Sequence, residues 1–333
     1  MDIHTVELTP LDYGLAGCAS GVVMRVVCQP LDVLKIRFQL QLDPINSVQG
    51  GKYHGMRQAT QMIINEEGML ALWKGHLPAQ YLSAVYGIAQ FVTFECLTRL
   101  CVDHLPDHLP LGVVNFVNGA VAGSIACTVG LPLDVLRTRF VAQGHPKLYR
   151  SIRHATAVMW HREGIRAFYR GFIPTVVQVA PFTGCQFAMY RLSLRVYRHT
   201  MSRYGQQRNH AHRWAHTLPT KGSYGNVGPV ESLVCGGVAG TTAKTIVYPL
   251  DMLKKRMQVV GFEQARAKFS ASGHVPHYRS LCDCAASIVR HEGFVGLFKG
   301  LVPSIYKAAV ASGVGFLVYE QMCRFLRDYH QTS

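Results

Sequence analysis

Three aspartates in this sequence are each followed by basic residues at one fixed spacing, and such acids and bases can form ion pairs that open and close. Each aspartate stands two residues after a proline, and bases follow three and five residues after the aspartate. The three segments are residues 30–37, 132–139 and 249–256. On a helix, the aspartate and the first base lie about one turn apart on one face. Three matched copies indicate an internal repeat.

These charges are predicted to pair between neighbouring repeats. A threefold arrangement of the three helices would place each aspartate beside the first base of the next copy, and charges inside a membrane protein need such partners. The predicted pairs are Asp32 with Arg137, Asp134 with Lys254, and Asp251 with Lys35. A ring whose pairs open together is a gate, and breaking one buried pair costs roughly 3–5 kcal/mol. Three independent surface salt bridges are the alternative, but they leave the linked prolines unexplained.

The same register predicts helix kinks and cations above them. A proline inside a helix removes one backbone hydrogen bond and bends the helix. The predicted kinks are Pro30, Pro132 and Pro249. Five residues before the proline stand Arg25 and Lys244 in the first and third repeats, and Cys127 in the second. We expect these positions to face a cavity, about one and a half turns above each kink.

The elements that carry these residues are long apolar stretches, two in each repeat. Between the two lie a polar loop, a short amphipathic helix and a Glu-Gly segment that closes with an aromatic, a base and a glycine. We expect that base to snorkel at a membrane interface. Paired glycines four residues apart, such as Gly17 and Gly21, predict close helix packing. Each apolar stretch is near the roughly 20 residues that cross a bilayer.

The predicted fold class is therefore an all-α membrane protein, with six transmembrane helices arranged as three pseudo-threefold repeats. The predicted boundaries are residues 11–104 for repeat 1, 111–199 for repeat 2, 200–226 for a polar inter-repeat loop and 227–327 for repeat 3. Because six is even, both termini are expected on one side of the membrane, with the loops inside the repeats on the other.

Composition argues against other classes of protein. Only 16% of the 333 residues are charged, below the roughly 25% of soluble domains. The formal net charge of +15 would suggest nucleic acid in a soluble protein, but the apolar stretches favour an anionic substrate and no nucleic acid. The sequence shows no nucleophile–base pair, metal-ligand cluster or phosphate-binding glycine loop in the needed context, so neither an enzyme nor a metal site is predicted. The ten cysteines are predicted to be reduced thiols.

The repeated segments resemble the signature of the mitochondrial carrier family, Pro-x-[Asp/Glu]-x-x-[Lys/Arg]-x-[Lys/Arg] followed by [Asp/Glu]-Gly-x4-aromatic-[Lys/Arg]-Gly. The resemblance covers nearly the whole chain. It implies short matrix helices, a central cavity and alternating access across the mitochondrial inner membrane. It also implies that a glutamine two residues after the second base braces a gate pair, here Gln39 and Gln258, with Val141 in its place in the second repeat. One chain would enclose the cavity, so a functional monomer is expected, with cardiolipin as a candidate lipid partner.

The resemblance implies substrate contacts on the second helix of each repeat, 7, 11 and 15 residues after the closing glycine. The candidate substrate-binding residues are Arg25, Lys244, Lys307, Gln178, Tyr86, Phe182, Gln90 and Gln186. The three bases have no acidic partner in the repeat signatures, so unpaired cations are expected for a substrate with several negative charges. The aromatic and amide side chains could hold a heterocycle. Snorkelling for Lys307 and core packing for Phe182 remain the alternatives.

The family's second gate, [Phe/Tyr]-[Asp/Glu]-x-x-[Lys/Arg], is incomplete in every repeat. Its aromatic positions are Phe94, Tyr190 and Tyr319. A weak gate on the cytosolic side is therefore expected, with Arg99 or Arg324 as candidate bases to complete it.

Several segments resemble the branch of this family that carries thiamine pyrophosphate. They are residues 35–41, 73–80, 94–98, 134–140 and 261–267. This resemblance implies uptake of thiamine pyrophosphate into the matrix by exchange with nucleotides, as a transported substrate and not as a cofactor. The cavity chemistry alone indicates a phosphorylated molecule with a ring. A nucleotide, deoxynucleotide or coenzyme A carrier therefore remains the alternative.

Overall fold

Among the described residues, the order of a long helix, a short helix and a second long helix occurs three times along the chain. The computed structural model describes residues 9–43, 51–104, 111–144, 147–205, 229–262, 278 and 280–332. The long helices in these ranges are α1 (Pro10–Leu40), α3 (His76–His104), α4 (Leu111–Ala142), α6 (Phe172–Gly205), α7 (Pro229–Gln258) and α9 (Leu301–Thr332). The short helices are α2 (Met56–Glu67), α5 (Ile152–Glu163) and α8 (Leu281–Glu292). Each short helix is followed by a 3-10 turn, at Met69–Trp73, Ile165–Tyr169 and Phe294–Phe298.

One element differs from its sequence-based boundary. α6 continues to Gly205, so the first residues of the segment 200–226, which was predicted as a loop, are helical. The reason is local: the chain meets no glycine or proline between His199 and Gly205, so nothing there breaks the helix. Residues 206–226 of that predicted loop lie outside the described part of the chain.

The chain forms two compact units. The first unit comprises Met1–Val179 and Tyr248–Ser333, and the second comprises Ala180–Val247. In the first unit, α1 packs along α9 and α3 packs along α4. The second unit holds the C-terminal part of α6 and the N-terminal part of α7.

Local signals in the sequence set the ends of several helices. Thr9 caps α1 in a capping box with Asp12, which satisfies backbone N–H groups that lack an intrahelical partner. Ser151 and Ser280 cap α5 and α8 with a single bond each, in which the serine side-chain oxygen accepts from a backbone N–H three residues later. The three short helices all end on a glycine with φ between 73° and 84°, a backbone conformation that suits glycine. These glycines are Gly68, Gly164 and Gly293. They are the glycines of the repeated Glu-Gly segment.

The repeat prolines lie inside continuous helices, at Pro30, Pro132 and Pro249. Because proline has no N–H, the carbonyl four residues earlier loses its helical partner. In the first repeat that carbonyl belongs to Val26, and the indole Nε1 of Trp73 donates to it at 3.1 Å. The aromatic residue of the Glu-Gly segment therefore pairs with the carbonyl that the proline of the first segment leaves without a helical partner.

The main buried cluster joins the C-terminal halves of α1 and α4 to the short helices α2 and α5. It contains Ile36, Ile63, Val135, Tyr149 and Met159, among others. The remainder of the long helices exposes many large apolar side chains, including those of Val22, Phe91 and Val117. Exposed apolar surface of this extent suits contact with lipid.

Three stretches in the described part of the chain are long and apolar enough to cross a membrane by length and composition alone. They are Leu11–Leu40, Val113–Ala142 and Phe294–His330. The helices α3, α6 and α7 have similar length, but residues such as Gln90, Arg191 and Lys244 interrupt their apolar sequence. Polar interruptions of this kind are expected where a helix faces a cavity.

The expected close packing at the paired glycines is absent at five of the six positions. A Cβ at Gly123 would lie 3.1 Å from Val179, whereas the other five glycines have no atom within 4 Å of that position among the described residues. Those five are Gly17, Gly21, Gly119, Gly236 and Gly240.

Candidate functional site

All three predicted ion pairs are present where α1, α4 and α7 approach one another. The separations are Arg137 Nη2 to Asp32 Oδ2 at 2.5 Å, Lys254 Nζ to Asp134 Oδ2 at 2.9 Å, and Lys35 Nζ to Asp251 Oδ2 at 2.6 Å. Each pair joins two different repeats, so together they form a closed ring. All six side chains are largely buried, and such charges are stable only while they are paired.

A glycine from the preceding repeat packs against the backbone of each gate base. A Cβ added at Gly75 would lie 3.0 Å from the carbonyl oxygen of Arg137. The corresponding distances are 3.1 Å from Gly171 to Lys254 and 2.8 Å from Gly300 to Lys35. The three glycines also have φ between 74° and 83°. A side chain there would collide with the backbone and require an unfavourable conformation. The closing glycine of each signature therefore sets how near the next helix lies to a gate base.

The two glutamines implied by the family pattern contact gate carboxylates. Gln39 Nε2 donates to Asp251 Oδ2 at 3.0 Å, and Gln258 Nε2 donates to Asp134 Oδ2 at 2.9 Å. The corresponding residue of the second repeat is Val141, which is fully buried in the apolar cluster. Two of the three pairs thus carry an amide brace.

The expectation that Arg25 and Lys307 lack an acidic partner is wrong. Lys307 Nζ lies 2.7 Å from Asp32 Oδ1, and Arg25 Nη1 lies 3.9 Å from Asp32 Oδ2. Arg25 also donates to the hydroxyl of Ser83 on α3. The repeat signatures could not show these contacts, because each joins residues that occupy different places in their repeats. Asp32 is thus a shared partner for one gate base and two candidate substrate cations.

Sequence reasoning missed Lys255, which lies between two gate-pattern bases. Its Nζ donates to Asp134 Oδ1 at 2.8 Å, to Thr138 Oγ1 at 3.0 Å and to Gln258 Oε1 at 3.0 Å. A signal was available in the repeat comparison, because the corresponding residues are Ile36 and Thr138 and neither is charged. A single basic residue at an otherwise uncharged repeat position indicates a role confined to one repeat.

Positive charge exceeds negative charge in this region. The bases in ion-pair contact with the three gate carboxylates, within the described residues, are Arg25, Lys35, Arg137, Lys254, Lys255 and Lys307. Six cations therefore face three carboxylates. An anion with several charges would compensate the excess.

A cavity of about 380 Å³ opens beside the ring. Its lining residues are Arg25, Leu82, Ser83, Tyr86, Cys127, Leu131, Asp134 and Lys254. Its volume lies within the range of small-molecule sites. Two candidate substrate contacts, Arg25 and Tyr86, thus share one cavity with gate residues.

The other candidate substrate contacts are not among the residues that line this cavity. Lys307 reaches the ring through Asp32. Gln178 is half-buried and Gln90 is exposed, and neither lines the cavity. Phe182, Gln186 and Lys244 belong to the unit Ala180–Val247, where Phe182 and Lys244 are half-buried and Gln186 is exposed.

A second buried network lies behind the ring and uses the second base of each signature. In the first repeat, Arg37 donates two bonds to the Glu67 carboxylate, at 2.6 and 2.7 Å, and one bond to the Tyr53 hydroxyl at 3.2 Å. Lys74 donates to the same carboxylate. Burial alone would raise the pKa of Glu67, but the hydrogen bonds and charges of Arg37 and Lys74 outweigh it and hold that pKa below its ordinary value.

The same network recurs in the other two repeats. The corresponding triads of arginine, glutamate and tyrosine are Arg139–Glu163–Tyr149 and Arg256–Glu292–Tyr278. The base of the aromatic–basic–glycine segment joins each one, as Arg170 and Lys299. The expectation that these bases snorkel is wrong for Lys74 and Lys299, because both are buried against a glutamate. The sequence held a signal, since the arginine and the glutamate each recur three times.

The candidate bases of the second gate pair within their own helices. Arg99 Nε lies 3.0 Å from Glu95, and Arg324 Nη2 lies 2.5 Å from Glu320, in both cases four residues apart on exposed surface. These exposed pairs contribute little to stability. Glu95 and Glu320 thus pair within their own helices, whereas the three gate aspartates pair between repeats.

Comparison with known proteins places these features in context. The family model described as "Mitochondrial carrier protein" matches residues 6–105, 111–200 and 225–330. The "Mitochondrial thiamine pyrophosphate carrier" of Bos taurus is 43% identical over 328 residues, covering 98% of this chain and 96% of the relative. The protein of the same name from Homo sapiens is 42% identical over 326 residues, covering 98% and 95%. The "Mitochondrial thiamine diphosphate carrier 1" of Zea mays is 37% identical over 317 residues, covering 92% and 91%.

Proposed function

The chain belongs to the mitochondrial carrier family, and from that premise we propose that it carries thiamine pyrophosphate into the mitochondrial matrix in exchange for nucleotides. Membership makes the protein a multi-pass transporter of the inner membrane, with six transmembrane helices and short matrix helices. It is not an enzyme. The choice of substrate rests on relatives at 37–43% identity that are named for thiamine pyrophosphate or thiamine diphosphate.

The observation that carries the proposal from the structure is the excess of cations at the ring. A diphosphate can replace carboxylate partners for guanidinium and ammonium groups and form several charge-assisted hydrogen bonds. Arg25 lines the cavity and contacts the Asp32 carboxylate, and Lys307 contacts that carboxylate from α9. We assign the phosphates to these two bases and the heterocyclic ring of the substrate to Tyr86 by stacking. Lys244 stays a candidate phosphate ligand because it occupies the position of Arg25 in the third repeat.

The geometry suits alternating access. The three interrepeat pairs would close the matrix side, and a substrate phosphate would compete with Asp32 for Lys307 and Arg25. This competition would leave the buried Asp32 carboxylate with one of its three cations while substrate is bound, and the closed ring would then be less stable because that charge is less compensated. Binding energy would thereby favour the open ring in the way that a ligand shifts a two-state equilibrium.

Two further parts of the proposal concern partners. A single chain supplies all three gate pairs, so the functional unit is proposed to be a monomer. Exposed bases on and after α5, namely Arg153, Arg162 and Arg166, would suit an anionic headgroup, and cardiolipin is the proposed lipid.

The test is uptake of labelled thiamine pyrophosphate into liposomes that contain the purified protein. We expect saturable uptake that excess unlabelled substrate blocks and that internal nucleotide stimulates. Brisk exchange of ATP or coenzyme A in the same vesicles, without thiamine pyrophosphate uptake, would reject this substrate while leaving the family and the gate in place. Liposomes without protein are the control for leakage.

A further inference from the structure

One position of the repeat signature breaks the threefold pattern inside the gate. The residue between the two signature bases is Ile36 in the first repeat, Thr138 in the second and Lys255 in the third. Ile36 belongs to the apolar cluster. Thr138 and Lys255, in contrast, meet across the boundary between the second and third repeats, with Lys255 Nζ 3.0 Å from Thr138 Oγ1. Only one of the three boundaries, within the described residues, therefore carries this polar contact.

The Lys255 ammonium has a complete set of partners. An ammonium group carries three N–H donors, and Lys255 has three acceptors, on Asp134, Thr138 and Gln258, at 2.8 to 3.0 Å. The Thr138 hydroxyl lies 2.7 Å from the Gln258 amide oxygen, which closes the network. Lys255 is 5% exposed. A buried lysine with every donor satisfied is a built contact, and opening the ring here would separate these groups.

The three gate carboxylates therefore differ in what holds them. Among the described residues, Asp251 contacts one lysine and one glutamine. Asp32 has three bases, but two of them are the proposed phosphate ligands and could be withdrawn by substrate. Asp134 has two lysines and a glutamine, and Lys255 is not among the residues that line the cavity. A substrate in this cavity would contact Asp134 and Lys254 but not Lys255.

We propose that Lys255 is a positioning residue of the gate. It acts as a latch that binds Asp134 of the second repeat to the third repeat and keeps the ring closed when no substrate is bound. This inference rests on the transport role proposed above but not on the identity of the substrate. A latch outside the cavity lining limits uncoupled opening of the ring. Such a device suits an exchanger, in which an empty carrier must not change sides freely.

One opposing effect would make Lys255 destabilise the closed ring instead of stabilising it. Lys254 and Lys255 are adjacent cations on a single carboxylate, and their repulsion favours separation. The latch requires the three hydrogen bonds of Lys255 to outweigh this repulsion. Removal of the ammonium decides between the two, because it eliminates both effects together.

The test measures opening from each side of the membrane through Cys127, which lines the cavity. A membrane-impermeant maleimide is applied to inverted inner-membrane vesicles, which expose the matrix side, and to mitoplasts, which expose the opposite side. Mass spectrometry of the peptide that contains Cys127 gives its labelling rate. No substrate is added, so the outcome is independent of thiamine pyrophosphate uptake.

Lys255→Met should raise the labelling rate from the matrix side about tenfold or more, because a hydrogen bond that involves a charged group stabilises by about this factor. Labelling from the opposite side should change little. The matched control is Lys52→Met, the same substitution at the Lys52–Glu66 pair near the surface, and it should match the unaltered protein on both sides. An unchanged or lower rate from the matrix side in Lys255→Met would overturn the proposal. An equal rise on both sides would also overturn it, because that result indicates general loss of structure.

A milder variant keeps the proposal testable if Lys255→Met does not fold. Thr138→Val removes one acceptor with little change of shape and should raise matrix-side labelling about threefold. The two substitutions combined should raise the rate by less than the product of their separate effects, because they break one network. Full multiplicativity would show that Lys255 and Thr138 act independently, which contradicts a shared latch.

Discussion

Two neighbouring glutamates on α2 provide a sharp test of the network behind the gate. Glu67 is 3% exposed in its side chain and accepts two bonds from Arg37, whereas Glu66 is 44% exposed and pairs with Lys52 at 2.6 Å. Glu67→Gln keeps the shape but removes the charge that compensates two buried bases. Breaking a buried pair in this way costs roughly 3–5 kcal/mol. Glu66→Gln removes an exposed pair that contributes about 0–1 kcal/mol.

The assay is thermal unfolding of the purified protein in detergent. At about 2–4 °C per kcal/mol, Glu67→Gln should lower the unfolding midpoint by about 6 °C or more, and Glu66→Gln by no more than about 2–4 °C. The substitution is the same in both variants and the positions are adjacent, so helix propensity is matched. Equal shifts in the two variants would refute the assignment of Glu67 as a buried structural anion.

Three other predictions follow from the same contacts. Lys307→Met should leave the protein folded, because the gate carboxylate beside it keeps its other partners, and should raise the substrate concentration for half-maximal uptake about tenfold or more; unaltered uptake kinetics would exclude Lys307 from the site. Glu67 and Glu163 have pKa values below their ordinary 4.5. The stability that they contribute is therefore complete above about pH 4.5 and is lost as the pH falls below it. Unfolding midpoints measured from pH 7 to pH 3 should show this loss, and the midpoint of Glu67→Gln should change less with pH. Gly300→Ala should destabilise strongly, because its φ is +83° and a Cβ would lie 2.8 Å from a backbone oxygen, whereas Gly14→Ala has open space in a helix and should be neutral or stabilising; comparable unfolding midpoints for the two variants would contradict this reasoning.

The repeat signatures predicted the gate pairs because they fix a register. When Asp134 and Lys254 occupy equivalent places in equivalent helices, threefold symmetry leaves one consistent pairing between neighbours. The structure contains that pairing at 2.9 Å, together with its two counterparts. The helix order could also be predicted, because the signals that end helices, such as the Ser151 cap and the C-terminal Gly164, act locally.

Contacts that break the symmetry could not be predicted in this way. Lys307 lies beside Asp32 because α9 packs along α1, which brings together residues far apart in sequence and at different places in their repeats. The adjacent aromatic and glycine residues predicted that Lys74 and Lys299 lie at a membrane interface, yet both are buried against a glutamate of the same repeat. Local composition indicates where a side chain could go, but burial depends on which helix covers it.

The sequence by itself determined the family, the three repeats and the ring of acid–base pairs, because each depends on spacing that recurs along the chain. Only the tertiary structure decided how each carboxylate is shared. Asp32 receives two cavity cations and Asp134 receives Lys255. The physical reason is that a buried carboxylate takes every cation that helix packing brings within reach, and helix packing is a property of the whole chain.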